Sequence, residues 1–219
     1  MAINIKKLVT LPIFMGLTEN ELREIAKNTA LGQRYQKKGT SIINEGDDVD
    51  SLYIVINGWF EACTTSDSKK YQMVEFLSGP YVIEPDKLFG IQKQTRSTYR
   101  TVTACELLCI NKDALMSLFD KYLIVRLNFL NLVCRNAQLG ERTPWMPKSA
   151  GTKGSIIDFI KQHCKIQAGK KTLYTKMVDL AEEVNDSRQM VSDALHELEE
   201  EEKIIVQRGI ITIPALQLL

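Results

Sequence analysis

The chain is nearly without histidine. Only His163 and His196 occur, both in the last third. A metal site built on imidazoles therefore finds no donor in the first two thirds. The five cysteines, Cys63, Cys105, Cys109, Cys134 and Cys164, are odd in number and scattered. They lack the spacing of a zinc site or an iron–sulfur cluster, and such a set suits reduced thiols. No apolar run is long enough to span a bilayer. Met1-Ala2-Ile3-Asn4-Ile5-Lys6-Lys7 lacks the apolar core and small-residue cleavage site of a signal peptide. The expected location is cytoplasmic. Excess charge is absent too, with 28 basic against 27 acidic residues and a net charge of +1. No global basic field advertises nucleic acid. Internal repeats and low-complexity tracts are also missing.

What is present begins with size. A chain of 219 residues with 44% apolar and 25% charged content holds one or two domains with a real core. Thr18-Glu19-Asn20-Glu21 is a capping box that predicts a short helix to about Asn28. Strand signals follow. Ser51 to Ile56 and Trp59 to Thr64 flank Asn57-Gly58, which predicts a hairpin. Ser66 to Lys70 is a polar turn and Tyr71 to Leu77 a strand. Gly79-Pro80 turns the chain again. Arg100 to Ile110 supplies a strand pair or one bent strand, with Cys105 and Cys109 as packing residues. Many short strands with regular turns imply a sandwich or jelly-roll barrel.

From Lys112 to about Gly140 the pattern is helical. Leu123, Leu127, Leu130, Cys134 and Ala137 step by four, three, four and three, which is an a/d seam. It can be covered by the barrel or by the same helix of a second copy. The second copy is favoured. Thr143 to Gly151 is rich in helix breakers and marks a hinge. Ser155 to Cys164 opens a second domain as a helix.

Thr175 to Leu198 reads as two short helices with a tight turn. Ala181 lets helices approach closely, and Asn185 tolerates a left-handed backbone. Asp186 or Ser187 can cap the second helix, and Asp186 with Gln189 resembles a capping box. Val184, Val191, Ala194, Leu195 and Leu198 form an apolar stripe. This is the pattern of a DNA-binding helix-turn-helix, whose second helix enters the major groove, and an ordinary helical hairpin satisfies these residues as well. Behind them, Ile204-Ile205-Val206 and Ile210-Ile211-Thr212-Ile213 flank Gln207-Arg208-Gly209, a β-hairpin signal. A helix-turn-helix followed by a hairpin is a winged helix, with Arg208 at the tip able to touch a phosphate.

In order and spacing the chain resembles the Crp–Fnr family of transcription regulators. The resemblance is carried by Phe14, Gly16-Leu17-Thr18, Glu21-Leu22, Lys38-Gly39-Thr40, Ile42-Ile43, Glu45-Gly46-Asp47, Leu52 to Gly58, Thr103-Ala104-Cys105-Glu106, Asp179-Leu180-Ala181, Ser187-Arg188, Val191, Leu198-Glu199 and Ile204. It implies an α+β fold with four parts: an N-terminal β jelly-roll (cyclic-nucleotide-binding-like) barrel at 1–111, a dimerisation helix at 112–143, a hinge at 144–150 and a C-terminal winged helix-turn-helix at 151–219. It further implies a homodimer in which a barrel effector biases two hinge states, with recognition helices at successive major grooves. Double-stranded DNA is the expected partner, and RNA polymerase is a candidate one.

The effector segment departs from the family. Cyclic-nucleotide binders cradle the phosphate with a Gly-Glu-Leu segment and a following Arg-Ser or Arg-Ala pair. Here the segment is Tyr81 to Gly90. It lacks the Gly-Glu pair, and Pro85 removes a backbone donor. Arg96-Ser97 is present but out of register with Glu84. The helix positions that would reach a purine fall near Leu139-Gly140, which offer no suitable side chain. The sequence therefore argues against cyclic AMP. The candidate pocket residues are Glu84, Arg96 and Ser97, the effector is unknown, and no cofactor is evident. Arg96 and Arg100, with Lys87 and Lys93, are either a site for some anion or an exposed basic loop, the latter being preferred. The first cysteine, Cys63, comes too late for the oxygen-sensing branch. The barrel offers no histidine to haem or to a cupin-type metal enzyme, and no enzymatic activity is expected.

On the DNA face the resemblance puts base-reading positions at Arg188, Gln189 and Asp193. Arg188 suits guanine and Gln189 adenine, unless Gln189 is used in the cap. Asp193 can accept from a cytosine amine or can repel phosphate. Lys176, Ser187, Ser192 and Arg208 complete the candidate DNA contacts. From Gly151 to Leu219 nine basic residues face eleven acidic ones, a net of −2. That leaves Lys165, Lys170, Lys171 and Lys176 as the expected local positive patch. The competing reading is an effector sensor or protein-interaction module whose winged helix no longer binds DNA.

Overall fold

Thr18 shows how the sequence starts its helices. In the computed structural model, which describes residues 4–142 and 149–219 (side chains at 139–142 excepted), its hydroxyl accepts from the Glu21 amide at 3.3 Å. The Glu21 carboxylate accepts the Thr18 amide at 2.8 Å. This reciprocal cap opens α2 (Glu19–Asn28), after a short α1 (Ile5–Leu8) that the sequence reading missed. Leu22 and Ile25 turn inward.

The chain divides into two compact units. One comprises Met1–Phe60 and Ser78–Arg142, the other Glu61–Leu77 and Thr143–Leu219. The strands are β1 (Leu31–Gln36), β2 (Ser41–Ile43), β3 (Ser51–Asn57), β4 (Trp59–Thr65), β5 (Tyr71–Ser78), β6 (Tyr81–Ile83), β7 (Thr98–Thr101) and β8 (Cys105–Asn111). In the first unit a four-stranded sheet runs in the order β1-β8-β3-β6, antiparallel throughout. Every residue from Cys105 to Ile110 is buried, as suits a central strand covered on both faces. β2 pairs with β7.

Asn57-Gly58 does not make the hairpin that its sequence predicts. β3 pairs with β6 and β8, whereas β4 belongs to the other sheet, so the pair is a corner between sheets. The Asn57 amide donates to Glu106 at 3.0 Å. Gly58 has φ 98°, and a Cβ there would lie 2.6 Å from both the Ala104 carbonyl and the Cys105 sulfur. Close approach and left-handed backbone together demand glycine. Gly58→Ala is expected to cost about 2 kcal/mol in a denaturant melt. A melt unchanged from wild type would refute this account of the corner.

The expected single helix from Lys112 is two helices. α3 (Lys112–Lys121) ends at Tyr122, whose backbone is extended, and α4 (Leu123–Arg142) begins directly after it. The break is held by the buried Tyr122, whose hydroxyl donates to Glu24 at 3.1 Å. Val125 and Phe129 are buried, and Phe129 packs on the rings of Phe89 and Phe119. The Asn128 amide donates to the carbonyls of Ile13 and Met15. Residues 143–148, most of the expected hinge, lie outside the described residues.

The second unit contains α5 (Gly151–Gln162), β9 (Lys171–Thr175), α6 (Met177–Glu183), α7 (Arg188–Glu200), β10 (Ile205–Gln207) and β11 (Ile210–Ile213). β10 pairs with β11 and β11 with β9. β5 then adds to β9 over Tyr71↔Thr175 to Glu75↔Lys171, so strand residues from early in the chain extend this sheet. Met73 enters the same core as Ile156, Leu173, Leu180, Leu195 and Leu198. Beneath the sheet, Lys171 Nζ donates to Glu75 at 2.9 Å with both side chains essentially sealed, 0% and 2% exposed. The amides of Lys165 and Ile166 donate to the same carboxylate at 2.9 and 3.2 Å.

Candidate nucleic-acid interface

The turn between α6 and α7 is built from a few residues. The Asn185 amide donates to the Glu182 carbonyl at 3.1 Å, and the Asp186 amide to the Ala181 carbonyl at 2.9 Å. With Asn185 at φ 54° this is the double-bonded termination in which one left-handed residue closes a helix. Ser187, not the pair of Asp186 and Gln189, caps α7: its hydroxyl accepts from the Met190 amide at 3.2 Å. The Asp186 carboxylate instead accepts from the Thr152 hydroxyl and from the Ser187 amide. These two donors hold its pKa below the ordinary aspartate range. Its contribution to stability is therefore present above that range and lost as pH falls through the lower folded value.

α7 has two faces. Val191, Ala194, Leu195 and Leu198 are buried, while Arg188, Gln189, Met190, Ser192, Asp193, His196 and Glu197 are exposed. Gln189 is free of the cap and donates from Nε2 to Asp193 at 2.9 Å, one turn along. Lys176 is exposed just before α6, and Arg208 is exposed where β10 turns into β11. Arg188, Gln189, Ser192 and Asp193 thus share one helix face, with Lys176 and Arg208 on the flanking elements.

The expected lysine patch is smaller than the sequence suggests. Lys171 is buried with Glu75 and cannot meet a ligand. Lys170 lies 4.9 Å from the Phe76 ring centroid. The glutamates at the end of α7 and just after it are partly used inside the unit. Lys153 pairs with Glu197 and Glu201, and Lys203 with Glu201 at 2.9 Å. The Glu199 carboxylate accepts from the Val206 amide at 2.7 Å, tying α7 to the hairpin behind it.

In the first unit, Glu84 and Ser97 are buried and Arg96 is exposed. Arg96 Nη1 lies 3.5 Å from Glu45. An open groove there is lined by Glu45, Asp48, Lys87, Lys93 and Arg96, carboxylates interleaved with cations. Arg100 is exposed on β7. The buried Glu84 carboxylate accepts from the Arg96 amide at 2.8 Å and from the Tyr99 hydroxyl at 2.9 Å. The sequence reading missed Tyr99, which no motif marks. Side chains at Leu139 and Gly140, where a purine contact was sought, lie outside the described residues.

On α4 the seam is uncovered in the single chain. Leu123, Leu127 and Leu130 are 58%, 45% and 50% exposed, and Cys134 and Ala137 are exposed beyond them. Among the described residues no group of histidine, cysteine and carboxylate side chains could hold a metal, and no helix is long and apolar enough to cross a membrane.

The segment that carries the antiparallel sheet and α3 matches a known family. Residues 33–122 match the cyclic nucleotide-binding domain family. No curated protein matches the sequence. Among solved structures, the catabolite activator protein of Thermus thermophilus is similar at 18% identity and a TM-score of 0.51, over 94% of this chain and 95% of that one. A transcriptional regulator from Thermotoga maritima is similar at 15% identity and a TM-score of 0.50, over 57% of this chain and 95% of its own. A cyclic nucleotide-binding domain from Methylobacillus flagellatus is similar at 13% and a TM-score of 0.53, over 67% and 85%. At such identities the likeness is one of fold. The family match and the likenesses of fold thus agree over residues 33–122.

Proposed function

We propose that the chain is a homodimeric transcription regulator of the Crp–Fnr type, not an enzyme. α6 and α7 are its helix-turn-helix, β10 and β11 its wing, and α7 enters the major groove of a pseudo-palindromic operator. The observation that carries this reading is the polar face of α7, presented after a tight turn while the opposite face is buried. The uncovered seam on α4 supports the dimer, with Leu123, Leu127, Leu130, Cys134 and Ala137 meeting their counterparts. A barrel effector other than cyclic AMP, or none, fits the departures around Glu84.

The hydrogen bond from Gln189 to Asp193 sharpens the expected base preference. The bond uses one of the two N–H groups on Nε2, so Gln189 still offers one donor and its carbonyl oxygen, and Asp193 offers its second carboxylate oxygen. The donor and acceptor of Gln189 suit adenine and the Asp193 oxygen a cytosine amine, while Arg188 suits guanine. Lys176, Ser187, Ser192 and Arg208 serve the phosphates. Binding measured on an operator series is expected to show Arg188→Ala relaxing preference at one base pair by about 1–3 kcal/mol. Lys176→Ala is expected to weaken all sequences evenly and to lower the salt slope by about 1. Unchanged base preference in Arg188→Ala would remove that residue from base reading.

One observation favours a second reading, a sensor or protein-interaction module. Lys171 is withdrawn from a domain whose net charge is already −2, and phosphate neutralisation dominates DNA affinity. Sequence-specific duplex binding at physiological salt excludes this alternative.

A further inference from the structure

Glu84 combines three unusual properties in one residue. Its backbone is left-handed, at φ 33° and ψ 59°, a conformation unfavourable to any residue but glycine, asparagine or aspartate. It is only 7% exposed. Each of its carboxylate oxygens accepts a hydrogen bond from the stretch Arg96 to Tyr99: Oε2 from the Arg96 amide at 2.8 Å, Oε1 from the Tyr99 hydroxyl at 2.9 Å. Tyr99 and Ser97 are fully buried. A backbone N–H and a phenol O–H that converge on two oxygens of one planar group make an anion site. The unfavourable turn at Glu84, followed by Pro85 with its fixed φ, delivers a carboxylate to it. Arg96 meanwhile turns its guanidinium outward to Glu45.

We propose that Glu84 is a built-in ligand: its carboxylate occupies the anion site of the barrel, which therefore takes no small diffusible anion. This deepens the reading of an effector other than cyclic AMP or none. Its test involves no DNA, so failure here is separable from failure of the regulator assignment. A buried carboxylate with two donors cannot be joined by a phosphate without like-charge repulsion or expulsion of the side chain. If the side chain is removed, the same donors should accept a small carboxylate from solution.

The experiment is thermal melting and titration calorimetry of the wild type, Glu84→Ala and Glu84→Gln with sodium acetate, inorganic phosphate and cyclic AMP. Sodium chloride at equal ionic strength is the control. The wild type is expected to bind none of the three, with no shift in melting temperature. Glu84→Ala is expected to melt at least about 5 °C lower and to recover saturably with acetate. Glu84→Gln, which keeps the shape but only one acceptor, is expected to melt between the two and to show no acetate recovery. Binding of phosphate or cyclic AMP by the wild type would overturn the proposal. So would a Glu84→Ala protein that melts with the wild type or ignores acetate. If Glu84→Ala fails to fold, a Glu84→Gln melt equal to that of the wild type overturns it by itself.

Discussion

Lys171→Met is expected to destabilise the second unit by about 3–5 kcal/mol, the usual cost of removing one partner of a buried ion pair. Lys171 and Glu75 are sealed from water, and the substitution leaves the Glu75 carboxylate to the Lys165 and Ile166 amides. Two amide donors reduce the penalty on that carboxylate but do not remove it. Glu75→Gln should cost a comparable amount, because it strands a buried ammonium. The double variant Lys171→Met with Glu75→Leu should recover much of the loss, since an apolar pair of similar volume can replace a buried ion pair. It should still fall short of the wild type, because the Lys165 and Ile166 amides would then lack their acceptor. Native stability is only about 5–15 kcal/mol, so either single change should lower the melting temperature by roughly 10 °C. Hydrogen exchange at the β9 amides localises the effect. A loss below about 1 kcal/mol for Lys171→Met would show that the pair is not sealed.

Leu127→Asp with Leu130→Asp is expected to turn a dimer into a folded monomer. Both leucines are half exposed in the single chain, so the charges cost little within it. In the proposed dimer they would bury two unpaired carboxylates per copy in the seam. Sedimentation should report the change of mass. Operator affinity should fall by about 10²–10⁴, because the second half-site would no longer add its effective concentration. Cys134 gives an independent reading. It lies on the same exposed stripe, so mild oxidation should cross-link two copies through it, and Cys134→Ser should abolish the link. A wild type that sediments as a monomer would refute the seam assignment. So would a double variant that remains dimeric.

Cys164 is expected to stay silent in such experiments. Burial first, and then the nearby Glu75 carboxylate, push its thiol up to about 12.

Local signals in the sequence were legible wherever one stretch of chain decides the outcome. The Thr18 cap, the left-handed Asn185 and the apolar stripe of α7 need no distant partner. The reading failed where a distant partner decides. Asn57-Gly58 has the composition of a hairpin turn, yet Glu106, nearly fifty positions on, holds Asn57 at a corner between sheets. β9 went unread because Lys171 looks like a solvated lysine, and only Glu75 explains its burial. On the proposed DNA face, Gln189 had two open uses, cap or base. The structure takes it out of the cap, which Ser187 makes, and bonds it to Asp193. Glu84 was singled out for its place in the effector segment. That its carboxylate is already satisfied depends on Tyr99, which no motif marks.

The most direct test of the central claim is selection of bound duplexes from a random DNA pool by the purified protein, without added ligand. The account predicts recovery of a pseudo-palindrome whose half-sites lie about one helical turn apart, roughly 34 Å between centres. Failure to enrich any sequence, both alone and with a cell-metabolite extract, would contradict it and leave the second unit as a protein-interaction module.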